Sequence, residues 1–472
     1  MEKLKADLAV IGAGPAGLQG AIQAAKAGKQ VILIDRLGFL GGASLNQGTI
    51  PSKTLREAIL DLTNFMRSNY YGRGNRPQRE ISIADLKASV TRVIDDENAL
   101  LSRICEKNDV EVVYGTARFA DPHTLEVVGE KDLVLSTIEA DRVLIATGSR
   151  PRHPIDIPGD KKIFVDSDII FRLDHMPKTM IVLGGGVIGC EYATMFAAVG
   201  IKVVLMDRRD NLLRTLDTEI GQRFREYIQK LDVEVRMSQR IKQLRCSEDG
   251  KAEVLMEDGE QVRADCLFYS LGRIANLDNL QLERAGLAVD KMGNLPVNAL
   301  FQTGVSHIYA AGDVIGPPGL ASTSMEQGRL AVRNAFALRT RPFPEFFPAG
   351  IYTIPEISSV GPTEEELKEQ GVHYQVGRAY YYEIARGPIA GDTSGMFKLL
   401  FHAETLEVLA VHIIGTHATE LIPIGQMAIH FRARVDYFVE AIFNYPTFAE
   451  GYRIAALNGL NKLTGAAARK WI

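Results

Sequence analysis

Two groups of glycine and aspartate carry the clearest chemical signal in this sequence. Gly12, Gly14 and Gly17 form a G-x-G-x-x-G turn, and Asp35 lies 23 residues past the first of them. Gly184, Gly186 and Gly189 repeat the pattern, with Asp207 again 23 residues on. In such a turn the first glycine permits a sharp reversal and the second lets backbone approach a pyrophosphate. The third allows close helix–strand packing, and the acidic residue can accept hydrogen bonds from an adenosine ribose. The helix that follows offers unpaired N–H groups and a partial positive charge to an anion. At the second turn Asp207 is followed by Arg208 and Arg209, with Arg214 nearby. Asp207 favours the free 2′-hydroxyl of NAD, whereas guanidinium forks match the 2′-phosphate of NADP. Both together read as a pocket admitting either nucleotide; the alternative is that the arginines are solvated loop charges.

These residues are positioned by a duplicated unit. Residues 7–36 and 179–208 superimpose at a constant offset of 172, with Gly28 and Gly200 also in register. In each copy an apolar run of strand length enters the turn, an apolar helix follows, and a second apolar strand ends in the aspartate. A lone G-x-G-x-x-G is weak, but this strand–turn–helix–strand setting is the one dinucleotide binding requires. The competing reading, two Rossmann-like units without nucleotides, leaves the agreement of two copies to coincidence. Val143–Gly148 and Ile308–Asp313 read as further buried strands closed by tight turns, and Leu55, Ile59, Leu62 and Met66 recur at helical intervals. The expected fold class is α/β, with two Rossmann-like dinucleotide-binding domains. The repeat places a first domain at 1–150 with a return segment at 275–345, and a second inserted at 151–274. Proline-rich seams at 151–158 and 342–348 leave 346–472 as a third, α/β domain.

Composition narrows the function class. The chain has 472 residues, and 54 Lys plus Arg against 58 Asp plus Glu give a net charge of −4. That balance lacks the basic surface that non-specific nucleic-acid binding needs. Cys105, Cys190, Cys246 and Cys266 show no CxxC spacing, so neither a zinc site nor a disulfide framework is expected. His402, His412, His417 and His430 fit no metal motif either. The charged start runs into an apolar strand interrupted by Asp7, unlike a signal peptide, and no window holds 18 apolar residues. A cytoplasmic protein is expected. The basic stretch within 67–82 reads as a solvated loop, and Trp471 as an exposed or packed chain end.

The segment from Gly41-Gly42-Ala43-Ser44 through Gly48-Thr49-Ile50-Pro51-Ser52-Lys53, the ATG at 146–148, the AAGDV at 310–314 and Tyr352–Gly361 complete a pattern. With both glycine-rich fingerprints, it resembles the two-dinucleotide flavoprotein family of lipoamide dehydrogenase, glutathione reductase and mercuric reductase over nearly the whole chain. The resemblance implies FAD at the first fingerprint, with Asp35 on its ribose, Gly41 and Gly42 near the pyrophosphate, Lys53 near the reactive edge and Asp313 near the ribityl-phosphate. It implies a nicotinamide nucleotide at the second, with Glu191 beside the nicotinamide and paired to Lys53. Glu191 also stands where a carboxylate could serve as a helix-dipole partner. Against one cofactor or the other the resemblance further places Pro15, Ala16, Arg36, Ala43, Ser44, Gly48, Thr49, Ala117, Thr147, Gly148, Val187, Ile188, Gly272, Arg273, Gly312 and Ala321. It implies a C2 homodimer in which Tyr445 and Glu450 act across the interface.

The disulfide reductases of that family carry a C-x4-C pair beside the flavin, where this chain has Ser44 and Thr49. Their proton-shuttling histidine is Tyr445 here, and a phenol with a pKa near 10 shuttles protons poorly at pH 7. Hydroxyls cannot relay electrons as a dithiol does. Electrons on the flavin must then leave through a molecule that reaches it directly. The soluble pyridine nucleotide transhydrogenases are the branch most similar to this chain, sharing GTIPSK at 48–53 and NYPT at 444–447. The implied activity is ping-pong hydride transfer between NADPH and NAD; the alternative is an NAD(P)H-dependent reductase of quinones or oxygen. Ser44 departs from that branch, which often keeps a lone cysteine there.

Overall fold

The apolar runs become central strands. A computed structural model describes residues 2–63, 82–153, 162–173 and 175–463. Met66 and Trp471, and all of the 67–82 stretch but Ser82, lie outside them. Glu2–Ile11 pairs in parallel with Val31–Asp35 on one side and Val134–Ile145 on the other. Val110–Tyr114 and Ile308–Ala310 extend this sheet in parallel, and Thr116–Asp121 with Thr124–Val128 add two antiparallel strands. Leu8 through Ile11 and Val31 through Ile34 are buried without alternation, as strands covered on both faces must be. The second repeat builds a separate parallel sheet from Thr179–Leu183, Lys202–Met206, Glu234–Arg236, Cys266–Tyr269 and Phe164–Val165. An antiparallel ribbon, Ser149–Pro151 against Arg273–Ala275, links the two at the points where the chain leaves and re-enters the first sheet. The C-terminal part is a five-stranded antiparallel sheet, Ala349–Ile351 to Val408–Ile414, packed against the helices Ala418–His430 and Glu450–Leu460.

One expectation needs correcting. The helix Thr49–Thr63 buries Leu55 and Ile59, but Leu62 is 40% exposed. The buried face of this helix instead includes Ser52, Arg56 and Thr63, because it packs against polar partners as well as apolar ones.

A buried charge cluster fixes the second dinucleotide unit to the C-terminal sheet. Asp217 caps the helix Thr218–Lys230 and also holds Lys398 Nζ at 2.8 Å through both oxygens. Lys398 reaches Glu364 at 2.6 Å and Glu219 at 3.2 Å as well, and Arg378 pairs with Glu219 at 2.7 Å. Burial by itself would raise these carboxyls, yet the Lys398 and Arg378 cations hold Asp217 and Glu219 low and Glu364 at about 2. Carboxylates with depressed values stabilise the fold above their unfolded pKa and lose that contribution as pH falls through the folded one. Stability measured by urea denaturation should therefore decline as pH drops from about 4.5 toward 2. Lys398→Met should cost about 3–5 kcal/mol at pH 7, since it strands the fully buried Asp217 carboxylate and takes a cation from Glu219 and Glu364. The variant's acid dependence over that window should shrink.

Candidate active site

The two glycine-rich turns are superposable devices. Gly12 and Gly184 have φ of +103° and +112°, and a Cβ there would stand 2.4 Å from the carbonyl oxygens of Ala146 and Ser270. A Cβ on Gly17 or Gly189 would stand 1.8 Å from the Gly12 or Gly184 oxygen. Packing alone therefore demands the first and third glycines. It does not demand the second. A Cβ on Gly14 would meet nothing within 4 Å, and one on Gly186 would meet only the Arg209 guanidinium at 3.9 Å. The bare backbone at those positions leaves an opening through which a diphosphate could reach the helix N-terminus, so both turns fit a dinucleotide.

Each aspartate is tied to its turn. Asp35 Oδ2 accepts from the Ala13 N–H at 2.7 Å and Oδ1 from Leu37 N–H at 2.8 Å; burial nevertheless pushes its carboxyl up. Asp207 Oδ2 accepts from Gly185 N–H at 2.6 Å. Its burial is outweighed by Arg209, whose backbone N–H donates to Oδ1 at 2.8 Å and whose guanidinium donates to Oδ2 at 2.7 Å, so Asp207 is held low. The aspartate and arginine that argue for different nucleotides are thus bonded to each other. Arg208 and Arg214 are exposed.

A cleft of about 980 Å³ collects most of the predicted residues. Gly12, Gly14, Pro15, Ala16, Asp35, Arg36, Gly42, Ala43, Gly48, Ala117, Thr147, Gly148, Gly312, Asp313 and Ala321 line its first side. Val187, Ile188, Glu191 and Arg273 line it from the second unit. Gly17, Gly41, Gly184, Gly186, Gly189, Gly272, Asp207, Arg208 and Arg209 do not. Tyr445 and Glu450 are also apart from the cleft: Tyr445 is 74% exposed, and Glu450 opens the helix Glu450–Leu460. On the cleft wall Thr147 Oγ1 is buried with no partner, so the wall presents a polar atom that a bound cofactor would satisfy.

Lys53 and Glu191 meet in this cleft. Lys53 Nζ donates to Glu191 Oε1 at 2.9 Å and Oε2 at 2.8 Å, linking helix Thr49–Thr63 to helix Val187–Ala198. Glu191 lies beyond the first turn of its helix, and its carboxylate faces the lysine, so it does not serve as a helix-dipole partner. The side chain is only 4% exposed. A buried carboxylate beside a cation can hold and orient a polar ring without itself being a redox group.

No thiol takes part. Ser44, on the short helix Gly42–Asn46, and Thr49, at the start of its helix, line the cleft where a dithiol would stand. All four cysteines are free and none lines the cleft. Cys190 adjoins Glu191 but points back to the Gly185 carbonyl at 3.6 Å, and burial pushes its thiol far up. Burial pushes Cys266 up to about 12 and raises Cys105 as well. Such thiols are inert at neutral pH.

Sequence reasoning missed several participants. Ser149 Oγ donates to Asp313 Oδ2 at 2.6 Å and accepts from Arg273 Nε at 2.8 Å, fixing that carboxylate. Asn276 Nδ2 donates to the Thr147 carbonyl at 3.0 Å. The backbone N–H of Tyr352 donates to Glu191 Oε1 at 2.9 Å, and Lys53 Nζ sits 4.9 Å from the Tyr352 ring centroid. Nothing local signals a contact spanning 161 residues. Lys53→Met should destabilise the fold by about 3 kcal/mol in denaturant titration, near the lower end for a broken buried pair because Lys53 is 24% exposed. Glu191→Gln, which keeps an acceptor for Lys53 and Tyr352, should cost under about 1 kcal/mol.

Comparison with known proteins agrees with this architecture. Residues 6–328 match the family described as pyridine nucleotide-disulphide oxidoreductase, and residues 347–456 match that family's dimerisation domain. A soluble pyridine nucleotide transhydrogenase of Mycobacterium tuberculosis is 45% identical over 97% of both chains. One from Vibrio parahaemolyticus is 41% identical over 97% of this chain and 98% of its own. Among solved structures, LpdA from Mycobacterium tuberculosis superimposes with a TM-score of 0.88 at 25% identity, covering 97% of this chain and 99% of LpdA. The flavoprotein disulfide reductase RclA from Escherichia coli gives 0.84 at 26% identity over 96% and 99%.

Proposed function

The chain belongs to the pyridine nucleotide-disulphide oxidoreductase family, and from that premise we propose that it is an FAD-dependent NAD(P) transhydrogenase working without a dithiol. The observation that carries this reading is a cleft that keeps the Lys53–Glu191 pair while Ser44 and Thr49 occupy its sulfur positions. FAD held there supplies reversible two-electron hydride chemistry. The Gly12–Gly17 turn would take its diphosphate, Asp35 its ribose, and Asp313, steadied by Ser149 and Arg273, its ribityl end. The Gly184–Gly189 turn would bind NADPH and, after its release, NAD. Glu191 and Lys53 would hold the nicotinamide end, and Val187 and Ile188 would shield it from water. Without a thiol to accept electrons, the second nucleotide is the outlet that this set of residues supports.

The same reading takes the protein to be a cytoplasmic C2 homodimer. Within the segment matching the dimerisation domain, Met427, Phe431, Tyr437, Ile442 and Tyr445 are 60–98% exposed, the character of a covered interface. Across that interface Tyr445 would pack against the flavin, and Glu450, whose Oε2 is buried without a partner, would find one. No helix among the described residues is long and apolar enough to cross a membrane.

Anaerobic mixing with NADPH and a thio-analogue of NAD should produce the reduced thio-nucleotide. Absence of transfer at every pH, or fast turnover with a quinone alone, overturns the reading. Arg209→Gln should weaken NADPH binding about tenfold or more, since a charge-assisted contact to the 2′-phosphate is lost. NADH binding should change little, and flavin bleaching titrations with each nucleotide measure both.

A further inference from the structure

The Lys53–Glu191 pair has a third side, supplied by the C-terminal domain. Glu191 Oε1 takes the Tyr352 N–H at 2.9 Å in addition to Lys53. One helical turn beyond each member of the pair, the same segment is gripped again. Three residues after Lys53, Arg56 Nε donates to the Thr353 carbonyl at 3.1 Å, and its guanidinium lies 3.2 Å from Glu356 Oε1. Three residues after Glu191, Thr194 Oγ1 accepts from the Ile354 N–H at 3.1 Å. Ile351, Ile354 and Ile357 sit in one core with Leu55 and Ile59 of the first helix and Cys190 and Ala193 of the second. The segment is therefore wedged between the helices that carry the two charged residues.

The Arg56–Glu356 pair is the costly part of this wedge. Arg56 is 5% exposed and Glu356 8%. The second oxygen of Glu356 is spoken for by Thr419, through N–H at 3.1 Å and Oγ1 at 2.8 Å, and Arg56 also donates to Glu57 at 2.5 Å. Neither Arg56 nor Glu356 lines the cleft. An ion pair buried this fully adds little stability over well-packed apolar residues, so its function has to be sought in geometry. A forked guanidinium fixes direction as well as distance, which an apolar contact does not.

We propose that Arg56 and Glu356 are positioning residues: they set where the Tyr352 peptide stands, and through it the orientation of Glu191 against Lys53. This rests on the transhydrogenase reading above. It adds that the C-terminal domain aligns the two helices that carry Lys53 and Glu191 for hydride transfer within its own chain. Displacements of about an ångström remote from the reacting atoms can cost about a hundredfold in rate.

The test is the double variant Arg56→Met with Glu356→Leu in the flavin-loaded protein, which removes both charges and leaves none stranded. Flavin reduction by NADPH, followed by stopped flow, should slow at least tenfold. Its nucleotide dissociation constant and the protein's melting temperature should stay near the parent's. Arg56→Lys, which keeps the charge but loses the fork, should fall between and serves if the double variant fails to fold. A purely structural pair would lower the melting temperature and leave the reduction rate intact. Parent-like reduction in either folded variant overturns the proposal. Parent protein that transfers no hydride between NADPH and the NAD analogue refutes the underlying reading instead.

Discussion

A single buried carboxylate organises this molecule. Glu191 is almost excluded from water, and an ionised carboxylate in that setting must be fully partnered or give up its charge. Its partners come from two other regions of the chain, Lys53 from the first dinucleotide unit and the Tyr352 N–H from the C-terminal domain, while Glu191 itself stands on a helix of the second unit. Satisfying one side chain thus brings together parts that are up to 299 residues apart in sequence. The cleft exists where those three parts meet.

The duplicated turns show the same economy at a smaller scale. In each, packing explains two glycines and leaves the middle one explained only by something approaching from outside. In each, the aspartate ties its strand to the turn through a backbone N–H at 2.6–2.7 Å. The copies part at their aspartates. Asp35 is pushed up by burial with no guanidinium bonded to it, while Asp207 carries Arg209 and is held low.

Much of this was legible in sequence because it is local. Glycine spacing, apolar run length and the distance to the aspartate are properties of about thirty consecutive residues, and the strands and turns follow from them. The substitution of hydroxyls for thiols at Ser44 and Thr49 was equally plain. What sequence did not reveal depends on contacts between distant segments. Leu62 keeps helical spacing yet is 40% exposed, with no neighbour covering it among the described residues, whereas polar Arg56 is buried because Glu356 and the Thr353 carbonyl await it. Likewise Asp207 and Arg209 read as rivals in sequence and stand as partners in space. Tyr445, by contrast, is placed by its own chain only on an exposed face.

Reducing equivalents that have no sulfur to enter must stop at the flavin, and electron counting reads this out. Anaerobic titration of the flavin-loaded protein with dithionite should consume two electrons per flavin, with bleaching complete at that point. Uptake of four electrons per flavin, with a charge-transfer band appearing midway, would instead reveal a redox-active disulfide beside the flavin.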